Sequence, residues 1–163
     1  MRYMDAAKKI NKAMPDWAKA ALAPVLRRRL TRNRCYLETR ARLLQADEAT
    51  AATALAAQRE LLFETLCYAY RHVPFYREAM RKAGVDPRDG GDPMRVLERL
   101  PIIDKPLILR RYDEFFSDEP LDAYWTTTSG STGQGMNILH EKRSIYMEKA
   151  FYHHFWARYG YDP

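Results

Sequence analysis

Cysteine is nearly missing from this chain: only Cys35 and Cys67 occur. Two thiols so far apart form no CxxC or zinc-ligand spacing, which excludes a disulfide scaffold and a structural zinc site. The plain expectation is a pair of reduced, partly buried thiols in a cytoplasmic protein. Long apolar runs are missing as well. No stretch approaches the roughly 18 apolar residues that a transmembrane segment needs. Lys8, Lys9, Lys12, Asp16 and Lys19 break every apolar run near the start, so a secretory h-region is not expected either. Glycine is scarce, at 7 of 163 residues, and the chain is 47% hydrophobic and 29% charged. That balance excludes collagen-like and wholly disordered classes and fits one ordinary globular domain. A chain of this size buries roughly 70% of its unfolded surface. There is no internal repeat, and no low-complexity tract beyond an alanine run.

The formal charge of +6 is unevenly placed. Residues 1–45 hold 12 Lys and Arg against 3 Asp and Glu, and the remainder is net acidic. Arg27, Arg28, Arg29, Arg32, Arg34, Arg40 and Arg42 crowd one short stretch. Such a cluster suits nucleic acid or an anionic membrane surface. Aromatic residues are sparse there, however, and no RNP, helix-turn-helix or zinc pattern accompanies the charge. A solvated basic arm over 1–46 is the favoured reading, and a nucleic-acid partner is not expected.

Within that arm, Pro15-Asp16 starts a helix, and Pro24 is expected to kink or divide it. A long alanine-rich helix is predicted from about Glu48 to Tyr70, with Asp47 as its N-cap. Pro74 ends it and opens a second helix, Phe75 to Ala83, with Gly84 at its C-cap. Asp92-Pro93 and Asp104 each begin a short helix, and Tyr112 to Phe116 reads as a further turn. After Pro120 the character changes. Tyr124–Thr128 and Met136–His140 read as two strands of a hairpin, followed by a helix from about Glu141 to Tyr159. The expected divisions are therefore 1–46, 47–120 and 121–163.

The most informative segment is the hairpin loop, Thr127-Thr128-Ser129-Gly130-Ser131-Thr132-Gly133. Its glycines allow sharp turning and close approach to a ligand. Successive backbone N–H groups in such a turn form an anion-binding concavity, and hydroxyls add donors for phosphate oxygens. A Walker A loop is excluded. Gly130 and Gly135 have its spacing, but Met136-Asn137 stands where Lys-Ser/Thr is required. By composition alone, a Ser/Thr/Gly hairpin is more often only a hairpin.

Other segments narrow the choice. Ala69-Tyr70-Arg71-His72-Val73-Pro74-Phe75-Tyr76-Arg77-Glu78, then Ala83-Gly84-Val85, then Leu100-Pro101-Ile102-Ile103-Asp104-Lys105, precede the loop in order. Together with the loop they resemble the phenylacetate–CoA ligase and CapK-like branch of the adenylate-forming (AMP-binding) superfamily, over roughly residues 55–163. The resemblance implies an α/β fold, mostly helical in this stretch, in which N-terminal helices lead into a β-hairpin and helix that begin the large domain. It implies ATP and Mg2+ as cofactors and a small carboxylic acid as substrate. The acid is activated as an acyl-adenylate with loss of pyrophosphate, and a thiol such as coenzyme A then accepts the acyl group. Thr127, Thr128, Ser129, Gly130, Ser131, Thr132 and Gly133 would hold the ATP phosphates. The resemblance gives no catalytic residue and no metal ligand within this stretch.

Two departures matter. Many relatives carry Lys-Pro after the last loop glycine, where this chain reads Gln134-Gly135. The family's adenine, ribose and Mg2+ motifs and its catalytic lysine are expected beyond Pro163, so the chain alone is expected to be inactive. Its last helix supports that expectation. Ile145, Tyr146, Met147, Ala150, Phe151, Tyr152, Phe155, Trp156 and Tyr159 cover most of the helix circumference. A helix apolar nearly all round needs neighbours on several sides. A separate complementary chain or self-association is expected to cover it. The alternative is a non-catalytic helical interaction or regulatory module descended from such a gene. Among the remaining residues, His153 and His154 are adjacent and form no i, i+4 metal pair. His72 reads as part of a structural junction packed by Val73, Phe75 and Tyr76. Glu141 and Glu148 read as a solvated face, and Asp104-Lys105 as a helix start.

Overall fold

The computed structural model describes residues 13–128 and 135–161. In chain order the described elements are α1 (Asp16–Thr31), α2 (Arg34–Asp47), α3 (Ala51–His72), α4 (Pro74–Lys82), a 3-10 turn (Pro87–Asp89), α5 (Pro93–Glu98), α6 (Lys105–Arg110), a second 3-10 turn (Tyr112–Phe115), β1 (Ala123–Thr127), β2 (Asn137–Glu141) and α7 (Lys142–Ala157). The described part is mostly helical, with one antiparallel two-stranded sheet. Two compact units divide it: Ala49–Leu121, and Met1–Glu48 together with Asp122–Pro163. The residues read as a basic arm and those read as the start of an α/β core thus fall in the same unit.

Local chemistry explains most boundaries. Asn33, Thr50, Asp92 and Asp104 each accept a backbone N–H from the first turn of the helix they cap. Pro74 stands at the first position of α4, where its missing N–H costs nothing. Gly84 leaves α4 in the left-handed region, at φ +64°. Its N–H bonds to Arg81 O, and the Val85 N–H reaches Met80 O, which forms a Schellman ending. Val85 also packs into the cluster that contains Met80.

Two expectations need correction. Asp47 is the last residue of α2 and does not cap α3; its carboxylate accepts from Arg158 at 2.6 Å and pairs with His154. Thr50 is the cap instead, through its side-chain oxygen. Pro24 does not divide α1, which runs unbroken and has no buried residue. The carbonyl that Pro24 leaves without a helical donor is open to water, so the interruption is tolerated. Both strands lie one residue off the expected positions, because the ladder starts at Ala123 and ends at Glu141. Glu141 therefore belongs to β2, where it pairs with Arg143 at 2.7 Å.

In the helical unit, Leu66, Met80 and Val96 form the buried centre, packed by Leu62, Ala69, Tyr70, Tyr76, Val85 and Leu100. Val73 and Phe75 are buried at the corner between α3 and α4, and Phe75 stacks on Phe115 at 4.2 Å. Glu78 ties α4 to Arg111. Its carboxyl is held down to about 2 by the Lys82 ammonium and the Arg111 guanidinium.

In the other unit, α2 packs on α7 through Tyr36, Thr39, Ala150 and His153, all buried. The Tyr36 hydroxyl and His153 Nδ1 lie 2.9 Å apart, their rings meet edge-on, and Arg40 donates to the same hydroxyl at 3.2 Å. The Thr39 hydroxyl donates back to Cys35 O, so the second buried polar group is also satisfied. The opposite side of α7 is open: Met147, Phe151, Tyr152, Phe155 and Trp156 are exposed, as is Tyr159 just beyond it.

Candidate functional site

The loop singled out from sequence joins β1 to β2. Thr127 and Thr128 are described; Ser129, Gly130, Ser131, Thr132, Gly133 and Gln134 lie outside the described residues. The mouth of the loop is closed by a two-way bond. The Thr128 N–H donates to Met136 O at 2.9 Å, and the Met136 N–H donates to Thr128 Oγ1 at 2.9 Å. One step inward, Thr127 pairs with Asn137 in the ladder, and its hydroxyl donates to Asn137 Oδ1 at 2.8 Å.

These bonds separate two residues that sequence treated alike. The Thr127 proton is committed to Asn137. Among the described residues, Thr128 Oγ1 only accepts, and its proton has no partner there. Gly135 completes the mouth. A Cβ there would sit 2.7 Å from Thr128 O and 3.0 Å from the Thr127 methyl. The close hairpin mouth therefore leaves no room for a side chain at Gly135 without a shift of the backbone.

The far end of the hairpin is held by Lys142. Its N–H donates to Asp122 O at 2.8 Å, and its ammonium pairs with the Asp122 carboxylate at 2.5 Å. Tyr124 and His140, opposite each other in register, stack at 5.7 Å. The ladder therefore presents two anchored loop ends at the mouth. Among the described residues, no group of three His, Cys, Asp or Glu side chains is placed to hold a metal ion.

The junction around His72 is knotted by its own polar groups. Arg77 Nε donates to Tyr70 O at 3.0 Å, and a second nitrogen reaches Arg71 O. The Asp118 N–H donates to His72 O at 2.7 Å, while the Asp118 carboxylate meets His72 Nδ1 at 3.2 Å and Arg77 at 2.9 Å. The last carbonyls of α3 are thereby satisfied, which is the C-terminal capping problem solved by a side chain from the next helix. The Asp118 carboxyl is held below its usual range, chiefly by Arg77. His72 serves the corner, and Asp104 caps α6. His153 is buried against Tyr36 and turns away from His154, whose partner is Asp47.

Sequence reading missed the Tyr36–His153–Arg40 contact. The signal for it was faint: an aromatic and a threonine spaced three apart within an otherwise charged helix. Among the described residues, no helix is long and apolar enough to cross a membrane. The chain matches no family model, no curated protein and no solved structure.

Proposed function

We propose that this chain is the N-terminal portion of an ATP-dependent, AMP-forming carboxylate ligase of the phenylacetate–CoA ligase type, with the Thr127–Gly133 loop as its grip on the ATP phosphates. The observation that carries the reading is the hairpin mouth. Two strand ends fixed by reciprocal Thr128–Met136 bonds, with Gly135 in close contact, are what a short phosphate loop needs to keep its N–H groups aimed at one point. The part assigned to this chain is positional: Thr128 donates its remaining proton, and the loop hydroxyls of Ser129, Ser131 and Thr132 add donors. Bound Mg2+ and ATP would supply the phosphoryl electrophile, and coenzyme A or another thiol the acceptor. The uncovered aromatic side of α7 supports the need for further protein before the site is complete.

The same aromatic side favours a second reading, a non-catalytic interaction module. Titration calorimetry with MgATP and with tripolyphosphate separates them. Binding that falls about tenfold or more in a Ser129→Ala, Ser131→Ala, Thr132→Val triple variant supports the ligase reading. Binding unchanged in that variant, or no binding at all, sinks it and leaves the interaction module.

A further inference from the structure

The corner between α3 and α4 gathers arginine. Arg71, Arg77, Arg81 and Arg88, with Tyr70, line an open hollow of about 370 Å³ within the helical unit. Arg77 and Arg88 are held in place. Arg77 donates to Tyr70 O, Arg71 O and the Asp118 carboxylate. Arg88 makes a two-pronged pair with Asp86 at 2.9 and 2.5 Å and lies 4.9 Å over the Tyr70 ring. Four guanidiniums thus face two partner carboxylates, with Asp89 also within electrostatic reach of Arg88. The surplus sits on Arg71 and Arg81, whose side chains make no hydrogen bond or ion pair among the described residues. Arginine at a helix C-terminus is favourable without any ligand. That preference accounts for Arg71 and Arg81 singly, but not for four forks around one hollow.

We propose that this hollow is a binding site for a phosphate monoester or free phosphate in its dianionic form. Arg71 and Arg81 supply the two uncommitted forks, each able to bond two oxygens. Arg77 and Arg88 are fixed walls whose geometry is already set by Tyr70, Asp118 and Asp86. Two unpaired cations match a dianion, whereas a carboxylate would leave one charge over. The hollow admits one compact group and has no extended basic stripe, which disfavours a nucleic-acid backbone. This site is separate from the hairpin loop and does not depend on the ligase reading.

The test is calorimetric titration of the full chain with inorganic phosphate and, separately, with glucose 6-phosphate at pH 7.5. Tighter binding of the first identifies the free ion as the source, and of the second an ester. Arg71→Gln and Arg81→Gln are each expected to weaken binding about tenfold. Arg81→Lys, which keeps the charge but loses the fork, should weaken it several-fold. Affinity for glucose 6-phosphate should fall toward pH 5.5, as the ester dianion takes up a proton near pH ~6. Both arginines are exposed, so thermal melts of the glutamine variants should match the parent. The proposal is overturned if the double variant Arg71→Gln/Arg81→Gln binds phosphate like the parent, if acetate competes equally, or if the parent shows no saturable binding.

Discussion

Replacing Tyr36 by Phe tests whether the α2–α7 contact is a specific polar joint. The ring stays, so no side-chain-sized cavity opens. What goes is a hydroxyl 2.9 Å from His153 Nδ1 that also accepts from Arg40. His153 is only 7% exposed, so its ring nitrogen would be left buried without a partner. Leaving a buried polar atom unsatisfied costs about 1–3 kcal/mol. With a urea slope of ~2 kcal/mol/M, the midpoint should drop by about 1 M. Trp17, Trp125 and Trp156 all lie in this unit, so tryptophan fluorescence during urea unfolding reports on it directly. His153→Phe should also destabilise, since it leaves the Tyr36 hydroxyl proton without its acceptor. The double variant Tyr36→Phe/His153→Phe should cost clearly less than the two single losses combined, because removing both polar partners removes the unsatisfied group. Additive losses, or a Tyr36→Phe midpoint within error of the parent, would refute the joint.

The same histidine sets a pH response. Burial, and then the charges of Arg40, Lys149 and Arg27, push His153 below the ordinary histidine value. The unfolded chain takes up this proton below about pH 6.5, while the folded chain resists until lower pH, so stability is present above 6.5 and is lost as pH falls through the folded value. The fluorescence midpoint should fall between pH 7.5 and 5.5, and fall less in His153→Phe; equal slopes would contradict the assignment. Gly135→Ala should disrupt the Thr128–Met136 bonds, and amide exchange at Met136 should quicken by tenfold or more; unchanged protection would show that the mouth yields freely. Met80→Ala, at a fully buried position between Leu66 and Val96, should cost about 2–5 kcal/mol by circular dichroism melts. A pyrophosphate-release assay with ATP and a panel of carboxylic acids should detect no turnover by the 163-residue chain; clear turnover would show that the uncovered face of α7 needs no further protein.

Local chemistry made much of the fold legible in the sequence. Asp92-Pro93, Asp104, Pro74 and Gly84 announce helix ends because their causes lie within a few residues. The hairpin was legible for the same reason. Asp47 misled because an aspartate before an alanine-rich run suits a cap, while its actual partners, His154 and Arg158, stand more than a hundred residues away. The burial of Tyr36 was hidden likewise, since its partner His153 is 117 positions on. At the candidate site, sequence marked Thr127 and Thr128 as equals. Only the hydrogen-bond directions separate them, and those depend on a register that no single strand reveals.

The pairing of α2 with α7 has a consequence for biogenesis. The helical unit is one continuous segment, Ala49–Leu121, while the other unit joins residues from both sides of it. During synthesis α2 emerges without its partner and waits while the whole helical segment is made, on the order of 4–15 s at ~5–20 residues per second. The helical unit can close its Leu66–Met80–Val96 centre in that interval, from contacts near in sequence. Tyr36 and Thr39 remain unsheltered until Ala150 and His153 arrive. The ribosome therefore exposes the basic end of this chain longest, and a chaperone or a premature stop would act on that end first.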